Sequence, residues 1–131
     1  MIKKLLIIIL FSSTLFAQQN FSEVASQISK SFSERKVADI EELFYFRVFL
    51  SATEIPVGYY GQSQSVKLIN EFLSSLRNYS YKPISNSNEG KLGYIEGVIY
   101  FSEGPRRESK NLFFTLKKID GKWKITQITI N

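Results

Sequence analysis

Glu96 lies in the middle of an apolar run with Tyr94 and Tyr100 on its own side of the chain. In an apolar cavity such a carboxylate would resist ionisation, and beside a tyrosine acid it could serve as a general base. On a partly wet sheet face it would instead pair with a basic neighbour, the usual situation for a strand carboxylate. Arg47, between Phe46 and Val48, divides in the same way between an anionic ligand and a cross-strand acid. Aromatic side chains are numerous, and Tyr and Trp combine an apolar body with a polar tip suited to a binding site. Tyr59, Tyr60 and Trp123 are the rings expected to be reachable, with most others assigned to the core. The candidate ligand-binding set is therefore Arg47, Tyr59, Tyr60, Tyr94, Glu96, Tyr100 and Trp123, and no residue is assigned as catalytic.

The residue types that are missing narrow the chemistry further. The chain has no histidine and no cysteine. That removes thiolate nucleophiles, Ser-His triads and nearly all zinc-site chemistry, so no metal site or cofactor is expected. It also removes disulfides, which leaves the hydrophobic core to stabilise the fold. The formal charge is +5, with the basic residues dispersed. A nucleic-acid site would need a dense basic stripe with interleaved aromatics, so no nucleic-acid partner is expected. Arg106 and Arg107, with Lys110, Lys117, Lys118, Lys122 and Lys124, could form a basic rim for anions. The plainer reading has these lysines guarding strand edges against aggregation.

Residues 1–17 have the layout of a secretory signal peptide: a basic head at Lys3 and Lys4, an apolar run from Leu5 to Phe11, and small Ala17 before Gln18. The apolar run is well short of the ~20 residues of a spanning helix. Cleavage after Ala17 would lower the formal charge from +5 to +3 by removing Lys3 and Lys4. An exported protein, periplasmic or secreted, with no membrane anchor after cleavage, is the expectation. Residues 18–131 then make one domain of ordinary length.

These side chains must be positioned by an α+β arrangement. Asn20 to Lys36 reads as an amphipathic helix whose stripe is Phe21, Val24, Ala25, Ile28 and Phe32, with Asn20 as its cap. A short helix over Ile40 to Phe44 capped by Asp39, a strand over Tyr45 to Ser51 and a brief strand at Tyr59-Tyr60 follow. Ser63 is placed as the cap of a third helix, Gln64 to Leu76. Tyr79 to Ser85 reads as a strand in which Pro83 marks an edge or a bulge, since proline donates no ladder hydrogen bond. Asn86 to Gly90 has the composition of a hairpin loop. Three strands close the chain: Leu92 to Phe101, Lys110 to Ile119 and Lys122 to Ile130, the last two joined by Asp120-Gly121. Asp-Gly favours a two-residue hairpin turn because both positions need positive φ. Gly93 and Gly97 share one strand face, which predicts a bend or the close approach of another element there.

This order of elements resembles the nuclear transport factor 2-like superfamily. The resemblance is carried by the Ser22 to Phe32 helix, Asp39-Ile-Glu-Glu-Leu-Phe44, Tyr60-Gly-Gln-Ser63 and the ending Leu116-Lys-Lys-Ile-Asp-Gly-Lys-Trp-Lys-Ile125. With the leader, it looks like a small exported subfamily of unknown function, similar to the DUF4783 proteins. The resemblance implies a cone-shaped α+β fold, its helices packed into a strongly curved antiparallel sheet. The fold hosts enzymes, binders and transport factors alike, and with no histidine here to carry over, the expectation is a non-catalytic binding module, taking a small apolar ligand in the cone or a protein partner through the sheet. The resemblance implies that a second copy can be that partner. Phe113, Ile119, Tyr94 and Tyr100 would suit such a sheet contact. The alternative is an isomerase or dehydratase that pairs a cavity carboxylate, Glu96, with a tyrosine.

Overall fold

The computed structural model describes residues 19–131, so the signal-peptide reading of residues 1–17 lies outside the described residues. Helix α1, Phe21–Glu34, buries the expected stripe of Phe21, Val24, Ala25, Ile28 and Phe32. Asn20 caps it, its side-chain Oδ1 accepting from the Ser22 N–H at 2.9 Å. A 3₁₀ helix, Val37–Leu43, follows in place of the expected Ile40 to Phe44 helix. Its backbone breaks at Ile40, and Phe44 is drawn into strand β1, where it pairs with Ile125. No helix among the described residues is long and apolar enough to cross a membrane.

The strands are β1 (Phe44–Ala52), β2 (Ile55–Gly61), β3 (Arg77–Glu89), β4 (Leu92–Glu103), β5 (Arg106–Ile119) and β6 (Lys122–Ile130). They form one sheet in the order β2-β1-β6-β5-β4-β3. The sheet is curved and unclosed, and it is mixed rather than wholly antiparallel, because β1 runs parallel to β6. Register shifts in β1, in β3 and between β5 and β6 bend the strands, as bulges do. Asp120 and Gly121 take φ of 52° and 79°, the left-handed pair that the hairpin turn requires.

Helix α2 spans Gln62–Ser74, and its cap is Gly61 rather than Ser63. The Gln62 side-chain amide donates to the carbonyls of Glu41 and Phe44, at 3.0 and 2.9 Å, and so anchors the start of the helix ahead of Ser63. The expected loop at Asn86 to Gly90 is also corrected. Strand β3 continues to Glu89, and Asn86, Ser87, Asn88 and Glu89 pair with Ile95, Tyr94, Gly93 and Leu92. A neighbouring strand offers these polar residues a full ladder, which outweighs their weak strand preference. Pro83 sits both on an edge strand and beside a register shift, as its missing N–H requires.

Both helices lie on one side of the sheet, and the space between is filled by side chains. Phe32 packs edge-on against Phe114 with ring centres 5.0 Å apart, and Phe21 against Trp123 at 4.8 Å. Gly93 and Gly97 show why that strand face, which also carries Ile95, Ile99 and Phe101, has no side chain at these two positions. A Cβ at Gly93 would run into the ring of Phe21, and one at Gly97 into the ring of Tyr81.

The C-terminal ends of the helices are tied through Arg35. This residue closes α1 in the left-handed region, φ 55°. Its guanidinium donates to the carbonyls of Leu76 and Leu73 at 3.1 and 3.4 Å, and lies over the ring of Tyr79, 5.1 Å from its centre. The Tyr79 hydroxyl donates in turn to the Phe32 carbonyl at 2.6 Å. Burial, then the neighbouring Tyr81, push the Tyr79 phenol well above its ordinary value, and Arg35 only partly offsets this. Burial pushes Tyr81 up to about 12, with the Ser29 hydroxyl pulling the other way. Ser29 completes no hydrogen bond of ordinary geometry with the Tyr81 hydroxyl, which stays unpartnered.

Both phenols therefore titrate higher in the folded chain than in the unfolded one. Their contribution to stability is complete below about pH 10, the unfolded value, and is lost as pH rises through the folded values. Urea midpoints measured at stepped pH should change little on approaching pH 10 from below and fall above it. The fall should be shallower in Tyr79→Phe, which cannot ionise. Identical alkaline falls in the two proteins would contradict this assignment.

Candidate functional site

The seven residues singled out in the sequence do not form one site. Trp123 is corrected outright: it is 2 % exposed and belongs to the core. It stands on β6, a central strand, with its ring under Phe21, so it has no route to solvent. Tyr60 is half-buried against the core, and its hydroxyl donates to the Pro56 carbonyl. The other five lie on the sheet face turned away from the helices.

Those five fall into two groups. Arg47 and Tyr59 belong to β1 and β2, and Tyr94, Glu96 and Tyr100 to β4. Strands β6 and β5 run between them, so at the usual strand spacing they stand roughly 14 Å apart. Glu96 is therefore not a cavity carboxylate inside the cone. It is half-buried on the outer face, opposite Phe113 on β5 and Ser85 on β3, whose hydroxyl reaches its Oε2 at 3.5 Å. Phe113 and Tyr94 are both substantially exposed beside it, and with Ser85, Ser87 and Thr115 they outline a shallow recess of about 170 Å³.

The larger feature of this face lies over β1, β2, β5 and β6. It is a groove of about 520 Å³ lined by Tyr45, Phe46, Arg47, Phe49, Tyr59, Thr115, Lys117, Ile119, Thr126 and Gln127. Phe46 and Tyr59 are 64 % and 63 % exposed. Phe49 stands edge-on to Tyr59 at 5.1 Å, and the Arg47 guanidinium covers the Tyr59 ring at 4.6 Å. Sequence reasoning found Arg47 and Tyr59, named Lys117 only as one member of a dispersed basic rim, and missed Phe49 and Gln127. They become neighbours only through the pairings Phe49 with Tyr59, Phe49 with Gln127 and Gln127 with Thr115. No local spacing signals such a meeting.

A further recess, also about 520 Å³, opens where the end of α2 meets the β4–β5 turn. Phe72, Phe101 and Leu76 line it, and Lys110 pairs there with Glu54 at 2.9 Å. None of the seven candidates lines it. Of the buried polar and charged residues among those described, Ser31 and Ser65 are both serines, and every carboxylate is at least partly exposed. The described residues also contain no cluster of acidic side chains able to hold a metal ion.

The comparisons with known proteins agree with this architecture. The DUF4783 family profile, described as a domain of unknown function, matches residues 25–131. No curated protein matches the sequence. In structure the chain is similar to a DUF4783 family protein from Bacteroides uniformis, with TM-score 0.69 and 15% identity over 79% of this chain and 92% of that one. It is similar to another from Bacteroides ovatus, with TM-score 0.68 and 13% identity over 79% and 89%. A nuclear transport factor 2-like protein with a cystatin-like fold from Novosphingobium aromaticivorans also aligns, with TM-score 0.62 and 10% identity over 94% and 86%. With most of its length matched by the family profile and its helices cupped by the same kind of curved sheet, the chain belongs to the DUF4783 family and has the nuclear transport factor 2-like fold.

Proposed function

We propose that this domain is a non-catalytic binding module that works through the outer face of its sheet. The partner best suited to the β4–β5 half of that face is a second copy of the chain. One observation carries the reading: large apolar side chains stand open on the face away from the helices, while the space under the helices is filled. Leu92, Tyr94 and Phe113 are 41 %, 49 % and 38 % exposed on adjacent strands, with Ile119 further along β5. Large apolar side chains exposed together on adjacent strands of a folded domain are a mark of an interaction surface. Two sheets stacked face to face about 10 Å apart would interdigitate these side chains. The buried interior supports a non-catalytic role, because its titratable side chains are tyrosines and its other buried polar side-chain groups are the hydroxyls of Ser31 and Ser65 and the amide oxygen of Asn70.

Sedimentation velocity on residues 18–131 at micromolar concentration is expected to give a dimer. Phe113→Glu should give a monomer of unchanged fold, because a charge placed at the centre of an apolar contact is left without a partner. A wild-type chain that stays monomeric under these conditions would overturn the sheet-to-sheet reading.

A further inference from the structure

The groove over β1, β2, β5 and β6 has a composition unlike the rest of the sheet face. Its lining contains two cations, Arg47 and Lys117, and no carboxylate. Among the described residues the ion pairs are Arg106 with Glu108 and Lys110 with Glu54, so neither groove cation is neutralised by an acid. Arg47 is also held in place. Its guanidinium lies over the Tyr59 ring, 4.6 Å from the centre, and the Tyr59 ring is propped edge-on by Phe49. The guanidinium makes no ion pair or side-chain hydrogen bond within the described residues, and its N–H groups fit a carboxylate or sulfonate through two parallel hydrogen bonds. Beside this edge Phe46 and Tyr59 offer exposed ring surface.

We propose that this groove binds a small anion carried on a flat apolar body, of the aromatic carboxylate or sulfonate class. The rings of Phe46, Phe49 and Tyr59 would hold the body, and Arg47 and Lys117 the charged head. At about 520 Å³ the groove lies within the size range of small-molecule sites. The charge complementarity extends beyond the groove, since the chain as a whole is positive at neutral pH. The inference goes beyond the sheet-docking reading. It concerns the groove over β1, β2, β5 and β6, which borders the apolar patch at Lys117 and Ile119, and it is tested by ligand charge rather than by association state.

The test compares two probes with nearly the same ring system. Anilinonaphthalene sulfonate carries an anion, and phenylnaphthylamine does not. Isothermal titration calorimetry on residues 18–131 is expected to show one sulfonate site per chain, with the neutral probe about tenfold weaker or more, as loss of a charge-assisted contact implies. Arg47→Gln should weaken sulfonate binding by about tenfold and Lys117→Gln by a few-fold, both leaving the neutral probe unchanged. Equal affinity for the two probes, or sulfonate binding indifferent to Arg47→Gln, would overturn the proposal. The same titration on Phe113→Glu separates the two readings. Charge-selective binding by that variant supports the groove whether or not the wild-type chain dimerises, and its absence there sinks the groove alone.

Discussion

Phe32→Ala is expected to lower the unfolding free energy by about 4 kcal/mol, the range found when a fully buried phenylalanine is truncated. Phe32 has no exposed surface, and its ring sits between Phe114, edge-on at 5.0 Å, and Tyr81, tilted at 5.9 Å. Its removal would leave these rings facing a void that the sheet cannot close, because α1 is tied at its C-terminal end by Arg35 and by the Tyr79 bond to the Phe32 carbonyl. Domains of this size unfold with about 5–15 kcal/mol in total, so the variant should lie close to the edge of folding. Urea unfolding with an unchanged slope would measure the loss directly. A loss below about 1 kcal/mol would mean that the space under the helices is not tightly packed. That result would revive the expectation of a small apolar ligand inside the cone. Phe32→Leu should recover more than half of the loss, since it restores most of the volume.

Gly97→Ala is expected to cost about 2 kcal/mol, although alanine is ordinarily the better strand residue. The reason is the ring of Tyr81, which crosses from β3 and lies directly over the Gly97 backbone. Tyr81 pairs with Ile99, so its ring reaches diagonally to the glycine two residues earlier on β4. The ring cannot simply swing away, because it is 8 % exposed and packed against Phe32. A double-mutant cycle isolates this contact. Tyr81→Ala alone should be destabilising, but Gly97→Ala added to it should cost nothing or be mildly stabilising, giving a coupling of about 2 kcal/mol. Additive effects would show that the glycine is required for some reason other than the Tyr81 ring. Gly93 stands in the same relation to Phe21, so two aromatic rings from different elements fill the two side-chain gaps on this face of β4.

Much of the fold was legible because its signals are local. The stripe of α1 repeats within a few residues, Asp120-Gly121 states its own turn, and Pro83 can occupy only an edge or a bulge. Paired glycines on one strand face implied a close approach, although the approaching rings could not be named. The position of the candidate side chains depended instead on register between distant segments. Strand β1 reaches β6 across more than half of the chain and runs parallel to it, which brings Arg47 and Phe49 near Gln127 and Lys117 and leaves Glu96 on β4, with β6 and β5 between it and Arg47.

Trp123 shows the same limit. Its neighbours in sequence are Lys122 and Lys124, and both suggest a wet position. Its burial follows from β6 being central and from Phe21, more than a hundred residues earlier, lying across its ring. By itself, then, the sequence determined most of the helices, strands and turns, though not the continuation of β3 through Asn86 to Glu89, and which chemistries lack the necessary side chains. Only the tertiary structure decided which sheet face each side chain occupies and which side chains meet. Period-two alternation sorts a strand's residues into two sets, but choosing which set faces water takes the helices, the bulges and the neighbouring strands.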